Sequence, residues 1–427
     1  MMDDRNYFEE RTNRSSGFAA GEEGRLGRGF WKGFFTAILL IGIAVGAFWY
    51  FNRPIVIPGR STSGEGLDTE EAEAILTKTD QFIRYIDEYY ILEDIPKESL
   101  IEGIYRGIMG TLSDRYAAYY TAEEFEEIKK NSQGSFGGMG ISVTPDREIV
   151  SVYEDSPASE AGIQPGDIII AADGTDITGM AQDEYMTLLR GEVGDVRTLT
   201  LLRPSTGETY EVTMTLRIVN QKTIVWKWLD NGIAYLQITN FHVITIEQFD
   251  AALEEIQSAE DFAGLILDLR NNPGGELDTV VHIADKLMPS GLIAYTLEKT
   301  GEREDFTSKG EGLPGIPMAV LINGDSASAS ELLAGALKDR GIATVVGTQS
   351  FGKGIVQTTW WLGDGSAFKM TTAKYYTPGG EEIQGVGITP DVVVEMPEDV
   401  EEGTDPQLDA AYDVILDDLG IAADDAA

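Results

Sequence analysis

The stretch Asn323-Gly-Asp-Ser-Ala-Ser-Ala-Ser-Glu-Leu-Leu333 decides the fold class of this chain, because it joins a polar turn to a helix with periodic apolar residues. An apolar run at residues 318–322 precedes the turn and predicts a strand. Small residues crowd the predicted helix start. A serine there lies beside backbone N–H groups without helical partners, which can stabilise an anion. Strand, turn and helix in this order predict an α/β unit with chemistry at its turn.

The stretch Phe351-Gly-Lys-Gly-Ile-Val-Gln357 follows about one supersecondary unit later. It places Lys353 between two glycines, with Gln357 four positions further on. In an extended segment these two side chains project to the same face. A serine, an amine and backbone amides are the parts of a Ser-Lys acyl-transfer site.

Strands and helices alternate from residue 217 to residue 395, and this alternation predicts an α/β domain. Apolar runs at 232–238 and 264–269 predict strands, while helical periodicity appears at 246–256 and 277–287. Catalytic groups in such domains lie in the loops at strand ends, where both serine and lysine stretches fall.

Residues 131–216 have a different character, with short β-rich runs separated by turns. The glycine-rich segment Ser135-Phe-Gly-Gly-Met-Gly-Ile141 opens the region, and Ser156-Pro-Ala-Ser-Glu-Ala-Gly-Ile-Gln-Pro-Gly-Asp-Ile168 resembles part of a PDZ domain. The glycines free backbone N–H groups for the terminal carboxylate of a peptide, which then pairs with the adjacent strand edge. The predicted peptide-binding residues are Phe136, Gly137, Gly138, Met139, Gly140 and Ile141.

Residues 33–52 carry no charge and are almost wholly apolar, which predicts a transmembrane helix about 30 Å long. Basic residues precede this segment and aromatic residues lie at its ends, so the positive-inside rule makes residues 1–32 a cytoplasmic tail. A cleaved signal peptide is the alternative, because Val45-Gly-Ala47 resembles a cleavage site. Residues 53–68 predict a linker, and helical periodicity predicts a helical region at 69–130.

The composition excludes several classes of function. The chain has no cysteine, which rules out a thiol nucleophile and thiolate metal sites. Its two histidines, His242 and His282, lie in different segments and outside any HExxH pattern, so we expect neither a metal centre nor a cofactor. A net charge of −40 repels phosphate backbones and argues against a nucleic-acid partner. The acidic segment at residues 396–427 contains one apolar stripe, which predicts a short helix.

Together these motifs resemble those of the carboxyl-terminal processing peptidases, also called tail-specific proteases, from about residue 69 to residue 391. Ser113-Asp-Arg-Tyr-Ala-Ala-Tyr-Tyr120 is similar to the segment that leads into the family's PDZ domain. Tyr376-Thr-Pro-Gly-Gly380 and Gly385-Val-Gly-Ile-Thr-Pro-Asp391 are similar to its closing motifs, although the family usually has a basic residue where Glu381 and Glu382 stand. The resemblance implies a multidomain protein whose α/β protease domain has a ClpP/crotonase-like core.

The resemblance places the nucleophile at Ser328, the middle of three serines that also include Ser326 and Ser330. At the helix start, the N–H of the next residue can point at a developing oxyanion. The alternative for Ser328 is a plain N-cap that forms a capping box with Glu331.

The family pattern makes Lys353 the general base and Gln357 the residue that orients its amine without adding a negative charge. A solvent-facing strand residue is the alternative for Gln357. The resemblance also implies two oxyanion donors, the backbone N–H groups of Gly274 and Ala329, with Gly275 as a neighbouring choice.

Two further residues are candidates for supporting roles. Asp339 stands where the family has an acidic residue, although a surface aspartate at a helix end is the alternative. Arg190 lies at the predicted end of the ligand-side PDZ helix and is a candidate for gating, with a solvated arginine as the alternative.

The sequence as a whole predicts a membrane-anchored serine endopeptidase of the bacterial envelope, with its catalytic domain outside the cytoplasm. The expected substrates are exported proteins with free, apolar C-termini, and a homo-oligomer is a further expectation. The alternative is an inert PDZ scaffold of the cell envelope, which predicts loss of the serine, lysine or glycine-loop residues that this chain retains.

The membrane prediction is testable by protease protection on intact cells. Protease added outside should remove epitopes placed after Arg53 and leave an epitope at the N-terminus, because residues 33–52 hold the tail inside. A soluble mature form that begins near Phe48 would instead demonstrate signal cleavage.

Overall fold

The computed structural model describes residues 66–397 and 403–421. The predicted cytoplasmic tail, the predicted transmembrane helix and nearly all of the predicted linker lie outside these residues. Among the helices that are described, none is both long enough and apolar enough to cross a bilayer.

The predicted helical region contains three helices: α1 (Thr69–Tyr89), α2 (Lys97–Gly110) and α3 (Ala122–Gln133). Neither α1 nor α2 has a buried residue. Helix α3 begins at a capping box formed by Thr121 and Glu124, and it ends at Gly134 in the left-handed conformation. A short strand between α2 and α3, β1 (Ala118–Tyr120), joins a sheet of the protease domain.

Two-stranded and four-stranded antiparallel sheets form the PDZ region around their own core. Its strands are β2 (Ser135–Gly138), β3 (Ile141–Val143), β4 (Ile149–Val152), β5 (Ile168–Ala172), β6 (Thr175–Asp176), β7 (Val196–Arg203), β8 (Glu208–Thr215) and β9 (Arg217–Asn220). Its helices are α4 (Pro157–Glu160) and α5 (Gln182–Leu189). Fully buried Ile169, Tyr185 and Leu199 contribute to a core separate from that of the protease domain.

A six-stranded sheet organises the protease domain, and its helices cover both faces. In spatial order its strands are β10 (Ile224–Trp228), β11 (Ile233–Ile238), β12 (Gly264–Asp268), β15 (Met318–Ile322), β16 (Thr344–Gly347) and β19 (Val392–Val393). Only the β10–β11 pairing is antiparallel. Helices α6 (Ile244–Gln257), α7 (Leu277–Leu287) and α8 (Ala329–Asp339) pack on one face, and α9 (Pro406–Leu419) packs on the other. The central strands are buried on both faces and therefore read as continuous apolar runs.

A second, antiparallel sheet contains the strand that follows the lysine stretch. It consists of β13 (Pro289–Glu298), β14 (Arg303–Glu311), β17 (Ile355–Trp361), β18 (Ala367–Tyr376) and β1. Strands β17 and β18 form a hairpin with a register shift between Val356 and Gln357. Gln357 therefore lies opposite Thr371 at an irregular point of the sheet.

The parallel strands bring the predicted site residues together. Strands β12, β15 and β16 are adjacent and run in the same direction, so the loops after them leave one edge of the sheet. These loops hold residues 269–275, residues 323–328 and residues 348–354. In α/β sheets this carboxyl edge is where ligands bind. The fold thus brings together residues 269–275 (the glycine loop), residues 323–328 (the serine turn) and residues 348–354 (the lysine loop).

A buried ion network attaches α9 to the first of these loops. The Arg270 guanidinium donates to both oxygens of Asp405 at 2.8 Å and to Asp268 at 2.7 Å. Burial alone would lower the pKa of Arg270, but the hydrogen bonds to Asp405 and Asp268 raise it above its ordinary value. Gln407 also accepts from this guanidinium at 3.1 Å. Helix α9 of the acidic C-terminal segment is therefore an integral part of the protease domain.

Candidate active site

Ser328 adopts an unusual backbone conformation between β15 and α8. Its φ is 56° and its ψ is −112°, in a region that side-chain-bearing residues rarely adopt. Such strain clusters at functional sites because the surrounding structure must hold it. The Ser328 hydroxyl makes no capping hydrogen bond to the first turn of α8, so it remains available for chemistry. The N-cap alternative is thus limited to one backbone contact with Glu331.

The two neighbouring serines are buried and occupied by structural hydrogen bonds. The Ser326 hydroxyl donates to the Leu269 carbonyl at 2.8 Å, and the Ser330 hydroxyl donates to the Asn272 carbonyl at 2.8 Å. Both residues have no exposed surface. Of the three serines, Ser328 alone is partly exposed, which favours it as the nucleophile.

Glu331 joins the serine turn to the lysine loop. Its carboxylate is fully buried and accepts four hydrogen bonds. One oxygen accepts from the backbone N–H groups of Ser328 and Lys353, both at 2.8 Å. The other accepts from the Ser350 hydroxyl and the Gly352 N–H, both at 2.6 Å. One carboxylate therefore fixes the backbones of the predicted nucleophile and the predicted base relative to each other.

Lys353 is half-buried in a loop that needs glycine on both sides. Gly352 has a φ of 88°, and a Cβ on Gly354 would lie 2.3 Å from the Gln384 backbone nitrogen. The Lys353 ammonium lies over the face of the Tyr116 ring, 4.7 Å from its centre. Within residues 66–397 and 403–421 it forms no hydrogen bond to Ser328 or Gln357.

Gln357 lies in β17, and its amide binds within the hairpin. Its Nε2 donates to the Ile355 carbonyl at 3.3 Å and to the Thr371 hydroxyl at 3.4 Å. The structure therefore brings Ser328 and Lys353 together through their backbones, while the Gln357 amide faces its own strand neighbours. The orienting role of Gln357 remains a prediction.

The glycine loop packs directly against the nucleophile. A Cβ on Gly274 would lie 2.9 Å from the Ser328 Cβ and 3.0 Å from the Ala329 nitrogen. The Gly274 N–H, however, donates to the Asn272 side chain at 2.9 Å and must leave that acceptor before it can bind an oxyanion. In the described part of the chain, the N–H groups of Ala329 and Gly275 have no hydrogen-bond acceptor. Ala329 with either glycine thus remains a predicted donor pair.

Asp339 contacts a closing motif of the sequence and no residue of the predicted dyad. It is exposed at the end of α8, where its carboxylate accepts the Gly379 N–H at 2.7 Å. A Cβ on Gly379 would meet the same carboxylate oxygen at 2.7 Å. Asp339 therefore holds the turn after β18. That this turn positions the dyad residues remains a prediction.

The predicted peptide-binding loop lines a groove of about 690 Å³ in the PDZ region. The groove is lined by Phe136, Gly137, Gly138, Met139, Gly140, Ile141, Ser142 and Val143, by Met186, Leu189, Arg190, Gly191, Glu192 and Val193, and by Glu127, Lys130 and Asn131 from α3. Strand β3 pairs on one side only, with β4, so its other edge is available to a peptide. Arg190 lies 3.5 Å from the Glu127 carboxylate, and both side chains are largely exposed. Helix α3 therefore forms one wall of the groove, alongside the strands and helix of the PDZ region.

Sequence reasoning treated Glu331 only as a helix cap and did not identify Asn272 or Tyr116. Asn272 is fully buried, and its side chain bridges the Gly274 N–H and the Ile238 carbonyl. An acidic residue three positions after the serine was visible in the sequence. Its link to the lysine loop was not, because that contact spans 22 positions of the chain.

The residues that the structure describes contain no group of three or more His, Cys, Asp or Glu side chains placed to hold a metal ion. The two histidines are in separate places. Burial lowers the pKa of His242, and a hydrogen bond from its ring to the Ser132 backbone carbonyl opposes this effect. His282 lies 3.0 Å from both carboxylate oxygens of Asp250.

The strained serine at the carboxyl edge of an α/β sheet, preceded by a PDZ region, defines a PDZ-containing peptidase. The model of Peptidase family S41 matches residues 232–394, and a PDZ domain model matches residues 148–203. A carboxy-terminal-processing protease of Bartonella bacilliformis is 39% identical over 345 residues, which cover 79% of this chain and 77% of that protein. The chain therefore belongs to the carboxy-terminal processing proteases of peptidase family S41, which confirms the family that the motifs indicate.

A second relative agrees with this membership, and one solved structure is also similar to the chain. A carboxyl-terminal-processing protease of Synechocystis is 34% identical over 328 residues, covering 74% of this chain and 77% of that protein. Among solved structures, the photosystem II D1 C-terminal processing protease is 28% identical and has a TM-score of 0.47. The match covers 74% of this chain and 88% of that one.

The Glu331 bridge is tested by Glu331→Gln, which keeps the shape of the side chain but places an amide donor against N–H donors. A hydrogen bond to a charged group contributes about 1.5–3 kcal/mol, so kcat should fall about 10- to 100-fold. Peptide hydrolysis measures the rate, and circular dichroism checks that the variant folds. Glu381→Gln, at an exposed position, is the matched control. A folded Glu331→Gln enzyme with the parent rate would contradict the bridging role.

Proposed function

We propose that this protease is a membrane-anchored serine endopeptidase that cleaves exported proteins near their free C-termini. The supporting observation is the strained Ser328, whose backbone shares one Glu331 oxygen with the backbone of Lys353. A Ser-Lys dyad needs these two residues close together, and the shared Glu331 oxygen keeps their backbones close.

The proposed reaction begins with attack of the Ser328 hydroxyl on the scissile carbonyl. Lys353, as a neutral amine, takes the hydroxyl proton and then donates it to the leaving amine. Ala329 and a glycine of the 274–275 pair donate N–H groups to the oxyanion. Lys353 next removes a proton from water, and the resulting attack releases the acyl group and restores the serine.

This reaction requires a rotation of the Lys353 side chain, whose ammonium lies over Tyr116 in the structure. The backbone is already anchored by Glu331, so only the flexible side chain has to move. In the productive state the Gln357 carbonyl oxygen accepts from the amine and orients it, after the amide leaves Thr371. On this proposal, the contact of Lys353 with Tyr116 is a resting arrangement that substrate binding changes.

The PDZ groove is the proposed reader of substrate C-termini. Backbone N–H groups of the 137–141 loop bind the terminal carboxylate, and the free edge of β3 pairs with the peptide. Met186 and Leu189 on α5 lie along the groove, which suits an apolar side chain at the terminus. Substrates of this chemistry fit the processing activity in the names of the relatives from Bartonella bacilliformis and Synechocystis.

Arg190 is the proposed gating residue of this groove. In the structure it pairs with Glu127 of α3, so the groove end is joined to the helical region. A peptide carboxylate or a backbone carbonyl that attracts Arg190 would compete with Glu127. If the ligand binds more tightly when Arg190 is released from Glu127, it favours that state and so changes the position of the PDZ domain.

The proposed location is the bacterial cell membrane, with a single span and the catalytic domain outside the cytoplasm. Support comes from the uncharged residues 33–52 and the basic residues that precede them. A PDZ domain and a protease domain beyond that span would meet exported proteins.

The dyad is tested by Ser328→Ala and Lys353→Ala. Each should reduce peptide cleavage by about 10⁴-fold or more, and the double variant should be no worse, because both residues act in one chemical step. Ser326→Ala and Ser330→Ala are the controls. They remove buried hydrogen bonds and should cost about 1–3 kcal/mol of stability while the enzyme still cleaves. Substantial cleavage by folded Ser328→Ala would show that the nucleophile is another residue, whereas a parent protein that cleaves no peptide would favour the inert-scaffold alternative.

Tail reading is tested with two peptides that differ only in amidation of the C-terminus. The amidated peptide lacks the charge that the 137–141 loop of the PDZ groove binds, so its kcat/KM should fall about 10-fold or more. The position of the cut, determined by mass spectrometry, should stay internal in both. Equal kcat/KM values for the two peptides would mean that the groove does not read the terminal carboxylate.

A homo-oligomer is also proposed, formed by the apolar faces of α1 and α2. Phe82 is 62% exposed and Ile108 is 59% exposed, and neither helix buries a residue, although amphipathic helices need a partner surface. Analytical ultracentrifugation of Phe82→Asp and Ile108→Asp should show smaller species than the parent protein, whereas Lys78→Asp should not. A monomeric parent protein would exclude this interface.

A further inference from the structure

The turn at residues 113–117 has no part in the proposed reaction, yet it contacts the predicted base. The centre of the Tyr116 ring lies 4.7 Å from the Lys353 ammonium. The Arg115 guanidinium carbon also lies 4.7 Å from this ring centre. The two cations are therefore separated by at most twice that distance, with an aromatic ring between or beside them.

The charge of Arg115 is fixed in position although the residue is exposed. Its guanidinium donates to the Tyr116 hydroxyl and lies 5.8 Å from the centre of the Phe351 ring. Phe351 is two residues before Lys353 in the same loop, and its side chain is 51% exposed. Stacking on two rings holds a planar guanidinium without a carboxylate partner. Within the described ranges, no carboxylate forms an ion pair with Arg115.

Asp114 anchors this turn to the hairpin that carries Gln357. One carboxylate oxygen accepts the Tyr116 N–H at 2.9 Å, and the other accepts the Thr371 N–H at 2.9 Å. Burial would raise the pKa of Asp114, but these backbone hydrogen bonds lower it below its ordinary value. The aspartate is thus ionised at neutral pH, and its two oxygens are bound to backbone donors.

Two other charged groups near the lysine loop have partners. Glu331 of α8 accepts four hydrogen bonds from the serine turn and the lysine loop. Lys374, opposite Ile355 in the hairpin, forms an ion pair with Glu382. Of these groups, Arg115 is the cation near the Lys353 amine that has no carboxylate partner within the described residues.

We propose that Arg115, held by Tyr116 and Phe351, is a positioning residue whose charge favours the neutral form of the Lys353 amine. A neighbouring cation is one way in which proteins make a lysine amine available as a base or nucleophile. This inference rests on the proposed function, because it needs Lys353 to be the base. Burial of a lysine can also favour its neutral form, and here an exposed arginine has this effect instead.

The test is the pH dependence of kcat/KM in the full-length enzyme with a fluorogenic internal-cleavage peptide. Arg115→Gln should move the midpoint of the rising limb upward by about 0.3–1 pH unit, because a charge less than 10 Å away interacts at about this strength. Arg115→Glu should move it further in the same direction, and Arg115→Lys should leave it in place. The high-pH plateau should stay equal in all of them.

Arg84→Gln is the control for a change in net charge, since Arg84 is an exposed residue of α1 that pairs with Asp80. Its profile should coincide with that of the parent enzyme. An unmoved midpoint in Arg115→Gln and Arg115→Glu overturns the inference, and so does an equal loss of rate at every pH. If Arg115→Gln does not fold, the comparison of Glu with Lys at position 115 decides the point. A parent enzyme without any rising limb, or an active Lys353→Ala variant, overturns both this inference and the assignment of the base.

Discussion

The hydrogen bonds to the buried Glu331 carboxylate are the interaction on which the arrangement of the candidate active site depends. Two loops that leave different strands meet at its oxygens, and each loop contributes backbone N–H groups. A buried carboxylate without donors would be costly, so these four hydrogen bonds stabilise it, and the bond from Ser328 helps to hold the strained φ of that residue. Because the contacts involve backbone atoms, the two loops are positioned even while the lysine side chain points elsewhere.

The proposed catalytic side chains themselves are less fixed than this backbone frame. The Lys353 ammonium lies on Tyr116, the Gln357 amide binds in its hairpin, and the Gly274 N–H binds Asn272. Each of these contacts is weak or local and is exchanged by a rotation. Such a state suits a protease, since a rigid frame needs only small side-chain movements to become active when a substrate arrives.

Local patterns in the sequence predicted the elements that carry the site. The apolar runs became β12 and β15, and the periodic residues after Ser328 became α8, because these signals depend on neighbours along the chain. The four-bond role of Glu331 and the stacking of Arg115 on Phe351 were not predicted. They join segments far apart in the chain, and a pairing across such distances leaves no periodic signal. Residues 33–52, whose hydropathy gave the clearest single prediction, lie outside the described ranges.

The attachment of α9 has a consequence for biosynthesis. This helix covers the face of the central sheet that contains Ile266, Ala319 and Leu321, and its N-cap residue Asp405 binds Arg270 beside the glycine loop. During synthesis the serine and lysine loops emerge well before α9 does. Until α9 docks, that sheet face is bare and Arg270 lacks one of its carboxylates. The protease domain therefore cannot complete its fold before α9 has been made, which delays competence for proteolysis until synthesis has passed this helix.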